Sequence, residues 1–359
     1  MLCRYFGRCG GCSLQHLDYD KQLEQKRDLV KNLLNFSDIM VFSDSDFYYR
    51  NRIDLVFHKT GLGLRKKGMW WCVLDIEECI ICEERINKII NELRDYFKEN
   101  DAFDIKRRIG TLRYAVIRVT RKEICINFIL NSDSMKISEA IEKIKGFRTC
   151  ANDITIGYVG RNSDLSVTDD YFVLKGRDNL EEEILGRGFI FNCQSFFQNN
   201  YNVAVKMHKY VSGLLKKYNG NLLDLYGGVG CFGVINSNGF SKILVVDESK
   251  NAIACARINI GDLKNMGVKL LDSKYLKRLE LKGRWVVILD PPRSGMHFKV
   301  IEELNLLRPE AIIYVSCNVK QLARDLAKFN DYRIESAALF DMFPQTEHCE
   351  VAVELKLDN

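Results

Sequence analysis

The sequence lacks an apolar run long enough to cross a bilayer, and its N-terminus lacks the apolar stretch after basic residues that marks a secretory signal. We therefore expect a cytoplasmic protein with no membrane partner and no obligate protein partner. The bias of a disordered or collagen-like chain is also missing, since 47% of the residues are hydrophobic and 28% are charged. There is no large excess of one charge either. A net charge of +5 permits an RNA partner without requiring one.

Cysteine, by contrast, is abundant, with thirteen residues. Without a secretory signal, clustered cysteines indicate metal binding or catalysis rather than disulfides. Cys3, Cys9 and Cys12 form a C-x5-C-x2-C pattern with glycines between them, and either Cys79 or Cys82 can supply a fourth thiolate. Three thiols in the first group favour a [4Fe-4S] cluster. A structural zinc site is the competing interpretation, and three unrelated reduced cysteines are the simplest one.

The next part of the chain has the pattern of an α+β domain. An amphipathic helix is predicted over His16 to Leu34, followed by a loop over Asn35 to Asp46. Alternating strands come next, then a helix over Glu83 to Glu99 and a hairpin of Leu112 to Val119 with Ile124 to Leu130. Arginines and lysines are interspersed with tyrosines and tryptophans throughout this region. That composition suits an RNA surface and equally a solvated face.

From Asn192 the pattern changes to alternating strands and helices. A strand ends in the glycine-rich turn Gly227-Gly228-Val229-Gly230, and a second strand ends in Asp247. The turn does not have the spacing of a dinucleotide or phosphate loop, so an S-adenosylmethionine site explains it better. Asp247 then stands where a Rossmann-like fold places an acid on ribose hydroxyls. Asp272 is a candidate adenine contact or a solvated loop acid.

Two short, continuously apolar segments, Trp285 to Leu289 and Ala311 to Val315, are predicted to be buried parallel strands. They end in Asp290 and in Ser316-Cys317, and ligands of open α/β sheets bind at the carboxyl ends of strands. A final pair of strands returns Glu350 near these ends. A buried, inert cysteine and a capping glutamate are the simpler interpretations of Cys317 and Glu350.

Six ordered signatures carry a resemblance to a known family. They are Cys3/Cys9/Cys12, QSFFQNN, DLYGGVG, DPPRSG, SCN followed by LARDL, and DMFPQTEHCE. Together they resemble, over essentially the whole chain, the RNA uracil-C5-methyltransferases that use S-adenosylmethionine. The chain looks most like the iron-sulfur 23S rRNA branch that has no TRAM domain, because it begins at the cysteine group. A tRNA T-loop substrate is the alternative, and a non-catalytic iron-sulfur RNA-binding protein is a further one.

The resemblance implies roles for individual residues. Cys317 matches the nucleophile and Glu350 the general base; Gln198, Tyr226, Asp247 and Asp290 match cofactor-binding positions; Cys3, Cys9, Cys12 and Cys79 match ligands of a [4Fe-4S] cluster, with Cys82 as the alternative fourth ligand. Two positions depart from the family pattern. Asp247 replaces the usual glutamate, and Cys231 replaces a polar Asn or Thr and is a poor acceptor.

The expected fold class is α/β, with a Rossmann-like methyltransferase domain at 191–359 that uses S-adenosylmethionine. An iron-sulfur region is expected at 1–34 and a central α+β RNA-binding domain at 35–190. The implied reaction needs a thiolate because uracil C5 is a poor nucleophile until a group adds to C6. It needs a base because C5 must lose its proton after it is methylated.

Overall fold

A computed structural model describes residues 2–358, and this part of the chain contains two units, each with its own sheet. Unit 1 contains the chain up to Asp18 together with Ser45–Glu182 and Asn192–Gln194. Unit 2 contains Tyr19–Asp44, Glu183–Phe191 and the chain from Ser195 onward. Three ranges were expected, 1–34, 35–190 and 191–359, whose outermost residues lie outside the described part. The two units instead join the chain up to Asp18 with Ser45–Glu182, and assign Tyr19–Asp44 and Glu183–Phe191 to unit 2.

The helices are α1 (Tyr19–Leu34), α2 (Glu84–Tyr96), α3 (Ile137–Lys145), α4 (Tyr201–Leu215), α5 (Cys231–Ile235), α6 (Lys250–Ile260), α7 (Phe298–Leu307) and α8 (Val319–Leu326), with 3-10 helices at Ser237–Gly239 and Ser273–Leu279. The strands are β1 (Ile39–Phe42), β2 (Arg52–His58), β3 (Gly61–Lys66), β4 (Met69–Asp75), β5 (Leu112–Val119), β6 (Ile124–Asn131), β7 (Asp153–Val159), β8 (Tyr171–Lys175), β9 (Asn179–Ile184), β10 (Arg187–Asn192), β11 (Asn221–Leu225), β12 (Lys242–Asp247), β13 (Met266–Leu270), β14 (Trp285–Leu289), β15 (Ala311–Ser316), β16 (Tyr332–Phe340) and β17 (Glu350–Leu357).

Unit 1 is a seven-stranded sheet in the order β4-β3-β2-β5-β6-β7-β8, covered by helices. Neighbouring strands are antiparallel except β6 and β7. The predicted hairpin of β5 and β6 and the predicted helix α2 are confirmed. β5 and β6 are buried along their whole length because apolar clusters cover both of their faces, one of them supplied by α2 and α3. A strand buried on both faces is more costly to disrupt than an edge strand.

Unit 2 is an eight-stranded, mostly parallel sheet in the order β1-β16-β17-β15-β14-β11-β12-β13. The predicted α/β architecture and the parallel pair β14 and β15 are confirmed. β17 runs antiparallel to β15, so its first residue, Glu350, lies at the edge where β14 and β15 end.

The segment around Ile39 corrects one prediction. The loop expected over Asn35 to Asp46 contains strand β1, which pairs in parallel with β16. Four residues are too few to give a periodic signal, and the pairing partner is remote in sequence. No helix within residues 2–358 combines the length and apolarity of a membrane span, and the cytoplasmic location stays a prediction.

Candidate active site

The carboxyl edge of the unit 2 sheet borders a cavity of about 820 Å³. Six side chains predicted to act in catalysis or in cofactor binding all line it, namely Cys317, Glu350, Gln198, Tyr226, Asp247 and Asp290. They come together because β11, β12, β14 and β15 end at the same edge and β17 begins there. The structure thus unites residues that are far apart in sequence.

The glycine-rich turn after β11 is held by Asp247. Gly228 N donates to Asp247 Oδ2 at 2.9 Å, and Ser249 N donates to Oδ1 at 2.8 Å. A Cβ at Gly227 would lie 2.8 Å from Val245 and 2.9 Å from Asp224, so this position requires glycine. The backbone can therefore approach a ligand closely. A carboxylate oxygen accepts more than one hydrogen bond, so Asp247 retains capacity for a ribose hydroxyl.

The loop from β15 to α8 positions Cys317. Asn318 caps α8, because its side chain accepts from Gln321 N at 3.3 Å. Its Nδ2 donates to the carbonyl oxygen of Arg293 at 2.9 Å, which ties this loop to the loop after β14. Asn318 N also donates to Ser316 Oγ at 3.2 Å. The thiol is consequently presented on a braced turn.

Burial, and then the neighbouring carboxyl groups, raise the pKa of three acidic groups in the cavity. Burial, and then the charges of Glu350 and Asp290, raise the pKa of Cys317 to about 12, whereas Arg293 lowers it. Burial, and then Asp290, raise the pKa of Glu350 well above its ordinary value. Burial, and then Asp224 and Asp247, raise the pKa of Asp290 to about 7. A positive charge entering the cavity would therefore favour ionisation of all three groups.

Helix α1 braces the loop that leads to Glu350. Lys26 Nζ lies 2.5 Å from Asp341 Oδ1, and the two side chains are 2% and 0% exposed. Gln345 N donates to Gln22 Oε1 at 3.0 Å on the preceding turn of the helix. These buried contacts explain why helix α1, which was expected within the iron-sulfur region at 1–34, belongs to unit 2.

Two cavity residues received no role from the sequence. Arg293 lines the cavity, and its positive charge lowers the pKa of Cys317 and of Glu350. Its position directly after the sequence DPP is the feature from which the sequence could have suggested a role. His208 of α4 is 3% exposed, its ring lies 4.4 Å from that of Phe232, and its Nδ1 has no hydrogen-bond partner within residues 2–358. Burial lowers the pKa of His208 to about 4. A lone histidine on an apolar helix face carries no sequence signal.

A second cavity, in unit 1, has a volume of about 330 Å³ and is lined by five cysteines: Cys3, Cys9, Cys12, Cys79 and Cys82. Tyr5 N donates to Cys3 Sγ at 3.4 Å, and Gly11 N donates to Cys9 Sγ at 3.3 Å. Hydrogen bonding from Cys82 lowers the pKa of Cys79 to about 7. Burial, and then Cys79, raise the pKa of Cys12 to about 12. The predicted thiols thus share one cavity.

Nevertheless, the iron-sulfur prediction gains no support from ligand geometry. Across residues 2–358, no group of three or more His, Cys, Asp or Glu side chains is arranged to hold a metal ion. The expected N-terminal iron-sulfur region therefore stays a prediction, as does the identity of its fourth ligand.

The model of a protein family, tRNA (Uracil-5-)-methyltransferase, matches residues 18–276 and 270–357. The chain belongs to this family. A tRNA (uracil(54)-C(5))-methyltransferase of Pyrococcus horikoshii is 36% identical over 361 residues, which cover 98% of this chain and 85% of the relative. A 23S rRNA (uracil(747)-C(5))-methyltransferase of Pyrococcus abyssi is 28% identical, with 99% of this chain and 85% of the relative covered.

The crystal structure of Pyrococcus abyssi tRNA (uracil-54, C5)-methyltransferase in complex with S-adenosyl-L-homocysteine is similar to this chain, with a TM-score of 0.80 and 32% identity. The match covers 96% of this chain and 85% of that one. As a member of the tRNA (Uracil-5-)-methyltransferase family, the chain is an RNA uracil-C5 methyltransferase that depends on S-adenosylmethionine. The predicted class of reaction, methylation of uracil C5 in RNA by S-adenosylmethionine, is confirmed. The predicted TRAM-less 23S rRNA branch is not supported, because the relative named for tRNA is the more similar of the two.

Proposed function

We propose that the protein methylates C5 of a uridine in the T-loop of tRNA, with Cys317 as the nucleophile and Glu350 as the general base. The observation that carries the proposal is that β15 and β17, adjacent and antiparallel, bring both side chains to one cavity. The choice of tRNA over the 23S rRNA first expected is supported by the names of the more similar relatives, at 36% and 34% identity against 28%.

In the proposed reaction, the Cys317 thiol gives its proton to water, the thiolate Sγ forms a bond to C6 of uracil, and the electron pair of the C5–C6 double bond moves to C5 and the adjacent C4 carbonyl oxygen. S-adenosylmethionine, when bound, supplies an electrophilic methyl group on a positively charged sulfur. After C5 is methylated, Glu350 takes the C5 proton, the double bond reforms and the C6–S bond breaks. The uridine must leave its stack to meet both groups, which suits a loop nucleotide.

The same cavity fits the methyl donor. Asp247, Gln198, Tyr226 and Asp290 line it beside the glycine turn and are the residues we assign to holding the donor. Burial and nearby carboxyl groups raise the pKa of both Cys317 and Asp290, so the cavity favours a cation, because a positive charge stabilises their ionised forms. Binding of the donor would thus help to ionise the thiol just before attack.

Two variants test the order of these events. Cys317→Ala should transfer no methyl group and form no covalent RNA complex, because the adduct cannot begin. Glu350→Gln should also be inactive but should accumulate an RNA–protein band that survives denaturation, because the methylated adduct cannot resolve. If Cys317→Ala still forms that band, another thiol is the nucleophile.

The choice of RNA is tested separately with wild-type protein and a labelled methyl donor. A tRNA transcript should be methylated, and a transcript with cytidine in place of the T-loop uridine should not be. A 23S rRNA fragment serves as the competing substrate. Methylation of that fragment alone would overturn the choice of tRNA while leaving the reaction intact.

We also propose that Cys3, Cys9, Cys12 and Cys79 hold a [4Fe-4S] cluster. Their shared cavity and the donation of backbone N–H groups to sulfur support it. Four irons and four sulfides keep their thiolates further apart than a single zinc ion does, since each Zn–S bond is only about 2.3 Å. The lack of a single-ion site among the described residues is therefore compatible with a cluster. Stoichiometric zinc without iron in anaerobically purified protein would contradict it.

A further inference from the structure

Unit 1 contains another cavity, of about 360 Å³, that neither the reaction nor the cluster uses. Its lining combines aromatic rings with basic side chains, including Lys59, Arg65, Trp71, Phe103, Lys106 and Arg113. Aromatic rings together with cations are the two elements with which proteins bind unstacked nucleotides. We refer to it as the aromatic–basic cavity.

A buried arginine forms one wall of the aromatic–basic cavity. Arg113 is 2% exposed, and its guanidinium carbon lies 4.0 Å from the centre of the Phe103 ring. Its two terminal nitrogens donate to the carbonyl oxygens of Gly160 and Ser163. Its Nε–H has no hydrogen-bond partner within residues 2–358. The guanidinium is therefore held in place by its partners and by the Phe103 ring, and it adds a fixed positive charge to this wall.

A tryptophan and a lysine form the rim. Trp71 is 39% exposed, and Lys106 Nζ lies 4.3 Å from the centre of its ring. Lys106 is held on a tight turn, because Asp104 Oδ1 accepts from the backbone N–H groups of Lys106 and Arg107 at 2.9 and 3.0 Å. Gly110 fixes the end of this turn, since a Cβ there would lie 2.2 Å from the carbonyl oxygen of Ala102. The rim is therefore preformed.

The charge of the aromatic–basic cavity is positive. Four lysines and arginines line it against two carboxylates, those of Asp104 and Asp164. Asp164 is already paired, since Arg65 donates to it at 2.9 Å and Tyr114 also donates to it. Lys59 and Lys106 remain exposed at the rim. An anionic ligand with a flat ring is thus favoured over a cation or an aliphatic chain.

We propose that the aromatic–basic cavity binds one unstacked nucleotide of the RNA substrate, a site separate from the cavity that receives the target uridine. The base stacks on Trp71, a phosphate oxygen is held by Lys106, and the buried Arg113 guanidinium contributes positive charge to the cavity wall. This inference rests on the proposed function, because it takes the ligand to be the RNA that is methylated.

The experiment compares Trp71→Ala with Trp70→Ala in the full-length protein. Trp70 is the matched control, because it is the neighbouring residue, 56% exposed, and does not line the cavity. Trp71→Ala should raise the Kd for the tRNA transcript about tenfold, the loss expected for one base–aromatic stack. KM for tRNA should rise in parallel while kcat changes little. Lys106→Ala should weaken binding and reduce its salt dependence.

Fluorescence gives a readout that is independent of activity. In a Trp70→Phe background, Trp71 is the exposed tryptophan, because Trp285 is 2% exposed. Addition of the tRNA transcript should quench its emission. A Kd for Trp71→Ala within twofold of that for Trp70→Ala, or emission unchanged by saturating RNA, would overturn the inference.

Failure of the inference and failure of the proposed function are distinguishable. If wild-type protein methylates tRNA and Trp71→Ala binds it normally, only the nucleotide site is wrong. If wild-type protein binds tRNA through Trp71 but methylates no uridine in it, the proposed function fails and the nucleotide site stands.

Discussion

Two cavities of this protein are lined by cysteine, and their thiols meet different neighbours. In unit 1, burial raises the pKa of Cys3, Cys9 and Cys12 most, and the charge of Cys79 raises it further, so an ionised thiol disfavours ionisation of its neighbours. In unit 2, the carboxyl groups of Glu350 and Asp290 raise the pKa of Cys317, again after burial. Each cavity would become anionic if its groups ionised, so each is suited to a cation. We expect the cation to be the iron of a cluster in unit 1 and the sulfonium of the methyl donor in unit 2.

The largest effect is expected from removing Cys317, the nucleophile that we propose for unit 2. Cys317→Ala should lower kcat/KM for tRNA by at least about 10³-fold, because no other group starts the reaction. Cys231→Ala is the matched control, since Cys231 lines the same cavity but has no role in the proposed reaction. Both variants should keep their iron. If the Cys317→Ala variant stays active, Cys317 is not the nucleophile, and the proposed difference in function between the two thiol cavities is wrong.

Two neighbouring thiols of unit 1, Cys79 and Cys82, compete for the role of the proposed fourth cluster ligand. Cys79→Ser should lose most of the iron, because Cys79 acts on all three thiols near the N-terminus. Cys82→Ser should keep iron, since Cys82 is 0% exposed and packs in the apolar cluster of unit 1. Iron and sulfide analysis of the two variants decides the assignment. The reverse pattern would make Cys82 the ligand.

The brace of the unit 2 cavity should be costly to break. Lys26→Met leaves Asp341 buried without its ion-pair partner, which should lower the free energy of unfolding by about 3–5 kcal/mol. Lys31→Met, an exposed change on the same helix, should alter it by about 0.5 kcal/mol or less. Chemical denaturation of both variants gives the comparison. Equal stabilities would mean that the ion pair is not structural.

Asp247→Ala should weaken binding of S-adenosylmethionine by about 1.5–3 kcal/mol, the usual loss for a hydrogen bond to a charged group. The variant also removes the acceptor for Gly228 N and Ser249 N. Asp272→Asn is the control, because Asp272 caps a 3-10 helix and does not line the cavity. Calorimetry with the donor should show a loss for Asp247→Ala only. Unchanged affinity would exclude Asp247 from the site.

The smallest effect concerns Arg293. The pKa of Cys317 lies at about 12, so the thiol is mostly protonated at pH 8 and its alkylation should accelerate as pH rises. Arg293→Ala removes a cation that lowers this pKa, so alkylation at pH 8 should slow about two- to threefold, the effect of one exposed charge. Mass spectrometry of the Cys317 peptide measures the rate. A faster rate would mean that Arg293 does not stabilise the thiolate.

Elements with strong local patterns were predictable. β14 and β15 are continuous apolar runs, and α2 has apolar residues at helical spacing, so each was expected and is observed. β1, with four residues, and β9 and β10 were not predicted. Their signals are short, and β1 exists only because β16 offers an edge for pairing.

The residues of the candidate site also divide into those that the sequence could predict and those that it could not. Cys317, Asp290 and Asp247 could be proposed because each directly follows a predicted strand, where the fold class places ligands. His208 could not be proposed, since its importance depends on a cavity that its own sequence neighbourhood does not reveal.

By itself, the sequence determined the order of chemical groups along the chain, because strand ends and turns are local features, and the resemblance that its motifs carry implied the class of reaction. Only the tertiary structure decided which of thirteen cysteines face carboxyl groups and which face one another. The physical reason is that burial and charge act through space. Glu350 meets Cys317 only because β17 turns back antiparallel to β15, and α1 reaches the same loop only through the buried Lys26–Asp341 ion pair.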